Sequence, residues 1–138
     1  MINSNKKTYK SLIIFLTAFA LNLVWENWHA QFYLHYQSGK ITELILIRAA
    51  IFDAVFIFIL ALIFSLVPAL NKKHWLALII GVAFSIILEK YALTTNRWAY
   101  NDLMPIIPFL NTGLTPTVQL GLISYLIFII FDQKRLFH

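Results

Sequence analysis

The chain has 138 residues, 60% of them hydrophobic and only 12% charged, with a mean hydropathy of +0.75. Soluble domains carry about 25% charged residues, so this composition excludes an ordinary water-soluble globular protein and points to an integral membrane protein. The net charge of +5 sits in short clusters at the ends of apolar segments, which excludes nucleic acid as a partner, and the lack of cysteine excludes disulfides, thiolate metal ligands and thiol catalysis.

Four apolar segments run from Ser11 to Phe32, Leu44 to Pro68, Trp75 to Leu93 and Thr115 to Phe131. Each is near the ~20 residues a spanning helix needs. They predict an all-α fold, an integral membrane four-helix bundle that forms a single transmembrane domain over residues 1–138.

Lys6, Lys7 and Lys10 precede the first segment. Ala18, Phe19 and Ala20 form an A-x-A pattern after this basic start, but the apolar run ahead of it is at the short limit for a signal peptide. The hydrophobic pattern also continues past it, so the segment reads as a retained span. Asn22, Glu26 and His29 are spaced by four and three residues and share one helical face, with Trp25 beside them. If the helix leaves the membrane near Phe32, Glu26 lies roughly 9 Å inside that edge.

The second segment carries Arg48 and Asp53, about 140° apart around a helix, so both are not expected to point into one pocket. Asp53 is the more central candidate, and Arg48 can snorkel to the surface. In the third segment Ala77, Gly81, Ser85 and Glu89 recur at every fourth position. Such a stripe lets membrane helices approach closely and turns Glu89 into the bundle, roughly 8 Å from its outer end. Lys90 projects from a different face. Pro105 and Pro108 then break the apolar MPIIPFL, predicting a bent outer loop that caps the bundle at the interface or re-enters it. Gln119, near the start of the fourth segment, completes a polar layer.

Lys72 and Lys73 lie between the second and third segments, and Lys134 and Arg135 follow the fourth. The positive-inside rule then predicts both termini cytoplasmic, with His35 and Arg97 outside, in what reads as a bacterial inner membrane. The basic clusters also fit membrane lipids as partners.

A carboxylate inside a membrane segment costs several kcal/mol by insertion scales and marks a functional site by default. Glu26, Glu89 and Asp53 are therefore the candidate catalytic residues, expected to converge on one pocket. Asn22, Trp25, His29, Arg48, Arg97, Trp98, Tyr100 and Gln119 are the candidate binding residues. The competing structural reading is a set of interhelical hydrogen bonds and ion pairs, with Glu26 or Glu89 paired to Arg48 or Arg97. It is preferred for Asn22, His29 and Gln119 taken singly, whereas three acids at one face exceed what packing requires. Trp25, Trp28, Phe32, Tyr33, Tyr36, Tyr91, Trp98 and Tyr100 form an aromatic belt in which most are anchors. Trp25 and Trp98 are the pocket candidates among them.

Glu26 and His29 make half of a carboxylate-bridged metal motif. The full arrangement needs two Glu-x-x-His pairs and two further glutamates, so neither metal nor cofactor is expected. No phosphate loop, serine nucleophile elbow or zinc signature occurs.

WENWHAQFY, then EKYALTTNRWAYNDLMP, then the segment from Pro116 to Gln119 resemble a family of small bacterial four-span membrane proteins. The likeness covers most of the chain through Trp25 and Glu26, Glu89, Arg97 to Tyr100, Met104 and Pro105, and Gln119. Separately, a glutamate followed by a threonine-rich turn, an aromatic and a tyrosine is similar to a segment of integral membrane carotenoid hydratases. This second likeness covers only the third span and its loop.

The leading expectation is a membrane-embedded enzyme acting on a lipid or isoprenoid, a hydrophobic small molecule, with Glu26 and Glu89 exchanging protons in a pocket at the outer leaflet. Trp25 or Trp98 would face a developing cation with its ring. The alternatives are a small proton-coupled transporter or binding protein, which a homodimer would complete, and a structural or assembly subunit. Against transport stands the nearly pure apolar character of the cytoplasmic halves of the segments.

Overall fold

The computed structural model describes residues 2–131 and is 71% helical. Helix α1 spans Ile2–His29 and runs through a short 3-10 turn, Ala30–Phe32, into strand β1, Tyr33–Tyr36. Helices α2, Glu43–Leu66, and α3, His74–Thr94, follow, then strands β2, Trp98–Tyr100, β3, Ile106–Ile107, and β4, Thr112–Gly113, and finally helix α4, Leu114–Ile130. Three stretches, Thr8–Phe32, Glu43–Leu66 and His74–Thr94, are long and apolar enough to cross a membrane, as expected of an integral membrane protein. At 17 residues α4 is apolar but shorter.

Local chemistry sets the helix ends. Val67 ends α2 in an extended conformation directly before Pro68, as the steric clash of a proline ring with its predecessor requires. Pro116 lies in the first turn of α4, where no amide partner is needed. At the end of α3, Asn96 takes a left-handed conformation with φ 55°, while its N–H donates to Leu93 O and that of Arg97 to Ala92 O. This is a Schellman ending, with asparagine in the place glycine usually takes. It reverses the chain and folds β2 back toward the last turns of α3.

Helices α1 and α2 pack broadly together, as do α3 and α4, and α1 against α4 joins the two pairs. The predicted small-residue stripe is buried throughout, at Ala77, Gly81, Ser85 and Glu89. Its partner is α4: a Cβ on Gly81 would fall 2.5 Å from Gly121 Cα, and one on Gly121 would fall 2.5 Å from Leu78 O. The two backbones thus touch where side chains would hold them apart. Ile14, Ala18, Ile57, Leu60, Ala61, Phe64, Ile123, Ile127 and Phe128 fill the core toward the α2–α3 turn. Helices α2 and α3 meet through stacked rings, Phe56 on Phe84 at 4.6 Å and Phe52 on Phe84 at 6.3 Å. Leu16, Val24, Ile59, Ile79, Ile87 and Ile129 point outward, an apolar exterior suited to lipid.

The connections at the other end carry two short β-ribbons, where the sequence predicts a bent capping loop between the third and fourth segments. Strands β1 and β2 pair antiparallel, Tyr33 with Tyr100 and Tyr36 with Trp98, with an irregularity between Tyr33 and His35. Strands β3 and β4 form a second ribbon, Ile106 with Gly113 and Ile107 with Thr112. The first ribbon ties the α1–α2 connection to the α3–α4 connection, a long-range pairing that strands of four and three residues do not announce in sequence.

Candidate functional site

Gln119 of α4 is the hub of the polar layer. Its Nε2 lies 2.8 Å from Glu26 Oε1, 2.9 Å from Asp53 Oδ2 and 3.1 Å from Asn22 Oδ1, so one amide with two hydrogens faces three acceptors. The opposite amide orientation would set a carbonyl against three oxygens. Asn22 is held for this role because its own Nδ2 donates to Ala18 O at 2.8 Å, one turn back in α1. Glu26 Oε2 lies 3.0 Å from His29 Nε2, and His29 Nδ1 lies 3.2 Å from Thr115 Oγ1. With a proton on Nε2, the imidazole donates to Glu26 and accepts from Thr115, giving a continuous relay from α4 through α1. The expected common face of Asn22, Glu26 and His29 is therefore present, and Gln119 and Asn22 work as one interhelical network with the acids.

Glu89 belongs to a second cluster. Its Oε2 accepts from Trp98 Nε1 at 3.1 Å and from the Tyr100 hydroxyl, which in turn accepts from Gly113 N at 3.0 Å. The Schellman reversal delivers both donors, since it brings β2 back over Glu89. Burial, then the charge of Glu89, raises the phenol pKa of both Tyr33 and Tyr100 well above the usual tyrosine range. Both stay neutral at any physiological pH, and Tyr100 keeps the proton it donates to Glu89.

A cavity of about 330 Å³ separates the two clusters, and Glu26, Asp53 and Glu89 all line it. One wall is α2 from Ile45 to Asp53 and the other is α3 from Ser85 to Ala92, with Tyr33, Tyr36 and Trp98 of the first ribbon above and Gln119 below. The three acids therefore converge as expected. Of the candidate binding residues, His29, Arg48, Arg97, Trp98 and Gln119 also border the cavity.

Several expectations need correction. Asn22, Trp25 and Tyr100 do not line the cavity: Asn22 stands behind Gln119, and Tyr100 behind Glu89. Trp25 packs against the core and donates to Thr115 O at 3.2 Å, which turns it away. Arg48 and Asp53 both border the cavity despite their angular separation, because the α2 wall takes in an arc of about 160° from Arg48 round to Leu46. Asp53 is buried there and Arg48 exposed. Neither Arg48 nor Arg97 pairs with an acid among the described residues. Among the described residues the basic side chain within 4.0 Å of a carboxylate is His29, beside Glu26, a contact that is an ion pair only when both ring nitrogens carry protons, while the Arg97 guanidinium sits 6.0 Å above the Tyr91 ring.

Sequence reasoning placed Tyr33 and Tyr36 in the anchoring belt, yet both face the cavity, and the Tyr36 ring stacks on Trp98 at 6.2 Å. It also passed over Thr115, the far end of the histidine relay. Only the pairing of β1 with β2 places the tyrosines, so nothing local could have found them. Thr115 lies four residues before Gln119 on α4, and that spacing was a usable signal.

Compared with protein-family models, with curated proteins and with solved structures, the chain matches none. The functional reading rests on the site itself.

Proposed function

We propose that the chain is a four-span bundle with both termini cytoplasmic, and that the cavity opens to the outer leaflet as the active site of a membrane-embedded enzyme. The substrate is a lipid or isoprenoid, and the chemistry is proton transfer. The observation that carries this reading is the meeting of three carboxyl groups on one largely apolar cavity, in two different hydrogen-bonding environments. Glu89 accepts from two neutral donors of β2, while Glu26 accepts from an amide and an imidazole. Two acids from different helices bordering one cavity are the parts needed to give a proton to an alkene or leaving group and to take one back. Trp98 presents its ring above them. In the short α4, Pro116, Gln119 and Leu120 border the cavity, and the remaining turns reach toward the opposite face.

The transporter alternative is less well supported, since the bundle beyond the polar layer is packed with Ile57, Leu60, Phe64, Ile127 and Phe128. A proton or ion would meet no continuous polar path there.

The test is mass spectrometry of lipid extracts from cells with the protein, without it, and with Glu26→Gln or Glu89→Gln. Glutamine keeps shape and much of the hydrogen bonding but exchanges no proton. A lipid species that depends on the protein should disappear in each variant while the variant remains inserted and folded. Unchanged lipids in all four strains, or full product from both variants, would reject the enzyme reading.

A further inference from the structure

The enzyme reading leaves two parts of the cavity unused. Arg48 lies on the α2 wall and Arg97 just beyond α3 on the opposite wall. Neither makes an ion pair with a carboxylate among the described residues, although three acids line the same cavity. The second unused part is Ser85, one turn below Glu89. Its Oγ is buried on the cavity wall and has no hydrogen-bond partner among the described residues.

Depth orders these groups. Ser85 is innermost, the acids lie in the middle layer, and the arginines lie toward the ribbon end. Arg48 is five residues before Asp53, or about 7 Å further along the helix axis. Two unpaired arginines bordering one end of a cavity suit a phosphate or carboxylate, whose oxygens take paired N–H donors. The same separation keeps such an anion from lying against the carboxyl groups below. Between Arg48 and Ser85 the walls are Ala49, Phe52 and Leu88, which suit a hydrocarbon chain.

Resting on the enzyme reading of the cavity, we propose that its ligand is an anionic single-chain amphiphile. The head group is held between Arg48 and Arg97, the chain passes the acid layer, and Ser85 offers a hydrogen bond at the far end. The acids therefore act on a carbon or oxygen one to two helical turns from the head group, not on the head group itself.

Binding of radiolabelled farnesyl phosphate to the full chain in phosphatidylcholine nanodiscs tests this, with farnesol and inorganic phosphate as competitors. Farnesyl phosphate should bind, farnesol at matched mole fraction should compete at least tenfold more weakly, and inorganic phosphate at equal concentration should not compete. Arg48→Gln and Arg97→Gln should each weaken farnesyl phosphate binding about tenfold or more and leave farnesol competition unchanged. Equal competition by farnesol, or unchanged affinity in Arg48→Gln, overturns the proposal. Competition by inorganic phosphate as strong as by farnesyl phosphate also overturns it, by marking a free-anion site. Should Arg97→Gln fail to fold, the exposed Arg48 carries the test alone. The enzyme reading fails separately: binding without any protein-dependent lipid rejects that reading and keeps this one, whereas turnover of a neutral lipid does the reverse.

Discussion

Replacing Gln119 by methionine keeps the length of the side chain while deleting the amide that joins α4 to α1 and α2. Glu26 would retain His29, 3.0 Å away. Asp53 and Asn22, at 7% and 0% exposure, would not fare as well, since the amide is the only N–H donor reaching either side-chain oxygen among the described residues. A buried acceptor left unpaired costs roughly 1–3 kcal/mol, and more when charged. Against that, interhelical hydrogen bonds in membrane proteins average only about 0.6 kcal/mol, because the unfolded chain in the membrane also finds partners. Two stranded acceptors in one closed layer exceed a single bond of that kind, so the expected loss is about 2–4 kcal/mol. Reversible unfolding in mixed micelles, followed by circular dichroism, measures it. Asp53→Leu in the same chain removes the stranded carboxyl, so the double variant should recover about 1–2 kcal/mol relative to the sum of the single changes. Strict additivity, or a loss below about 0.5 kcal/mol for Gln119→Met, would refute the hub.

Three further outcomes are expected. Gly81→Ala should destabilise by about 1–3 kcal/mol, because its Cβ would meet the Gly121 backbone at 2.5 Å, whereas Gly39→Ala, with an ordinary 3.5 Å contact, should stay within about 0.5 kcal/mol; thermal unfolding compares them. The raised phenol pKa of Tyr100 implies stability that is fully present below about pH 10, the unfolded value, and is lost as pH climbs through the folded one. Melting temperatures from about pH 9 to 11 should therefore fall more steeply for the wild type than for Tyr100→Phe, and parallel curves would contradict this. Reporter fusions at Ser38 and Asn111 should both appear outside the cell, and a cytoplasmic signal from them would remove the proposed topology.

Composition and helical spacing by themselves determined the apolar helices, the shared face of Asn22, Glu26 and His29, and the inward turn of Glu89. These depend on local periodicity and on the high cost of exposing a carboxylate to lipid, both of which are written into consecutive residues. The convergence of Glu26, Asp53 and Glu89 was also legible, because matched depth follows from counting residues along each helix. The sequence could not say which helix receives the small-residue stripe, since Gly121 becomes its partner only once α3 and α4 are laid together. Nor could it say that the acids divide between an amide hub on α4 and a tryptophan and tyrosine on β2. That division comes from the reversal at Asn96 and from pairing of two connections about 60 residues apart, which depends on closure of the whole bundle. The failure of the expected arginine pairs has the same origin: charge and depth suggested them, but the direction in which the chain leaves α3 carries Arg97 over Tyr91 and gives Glu89 to neutral donors instead.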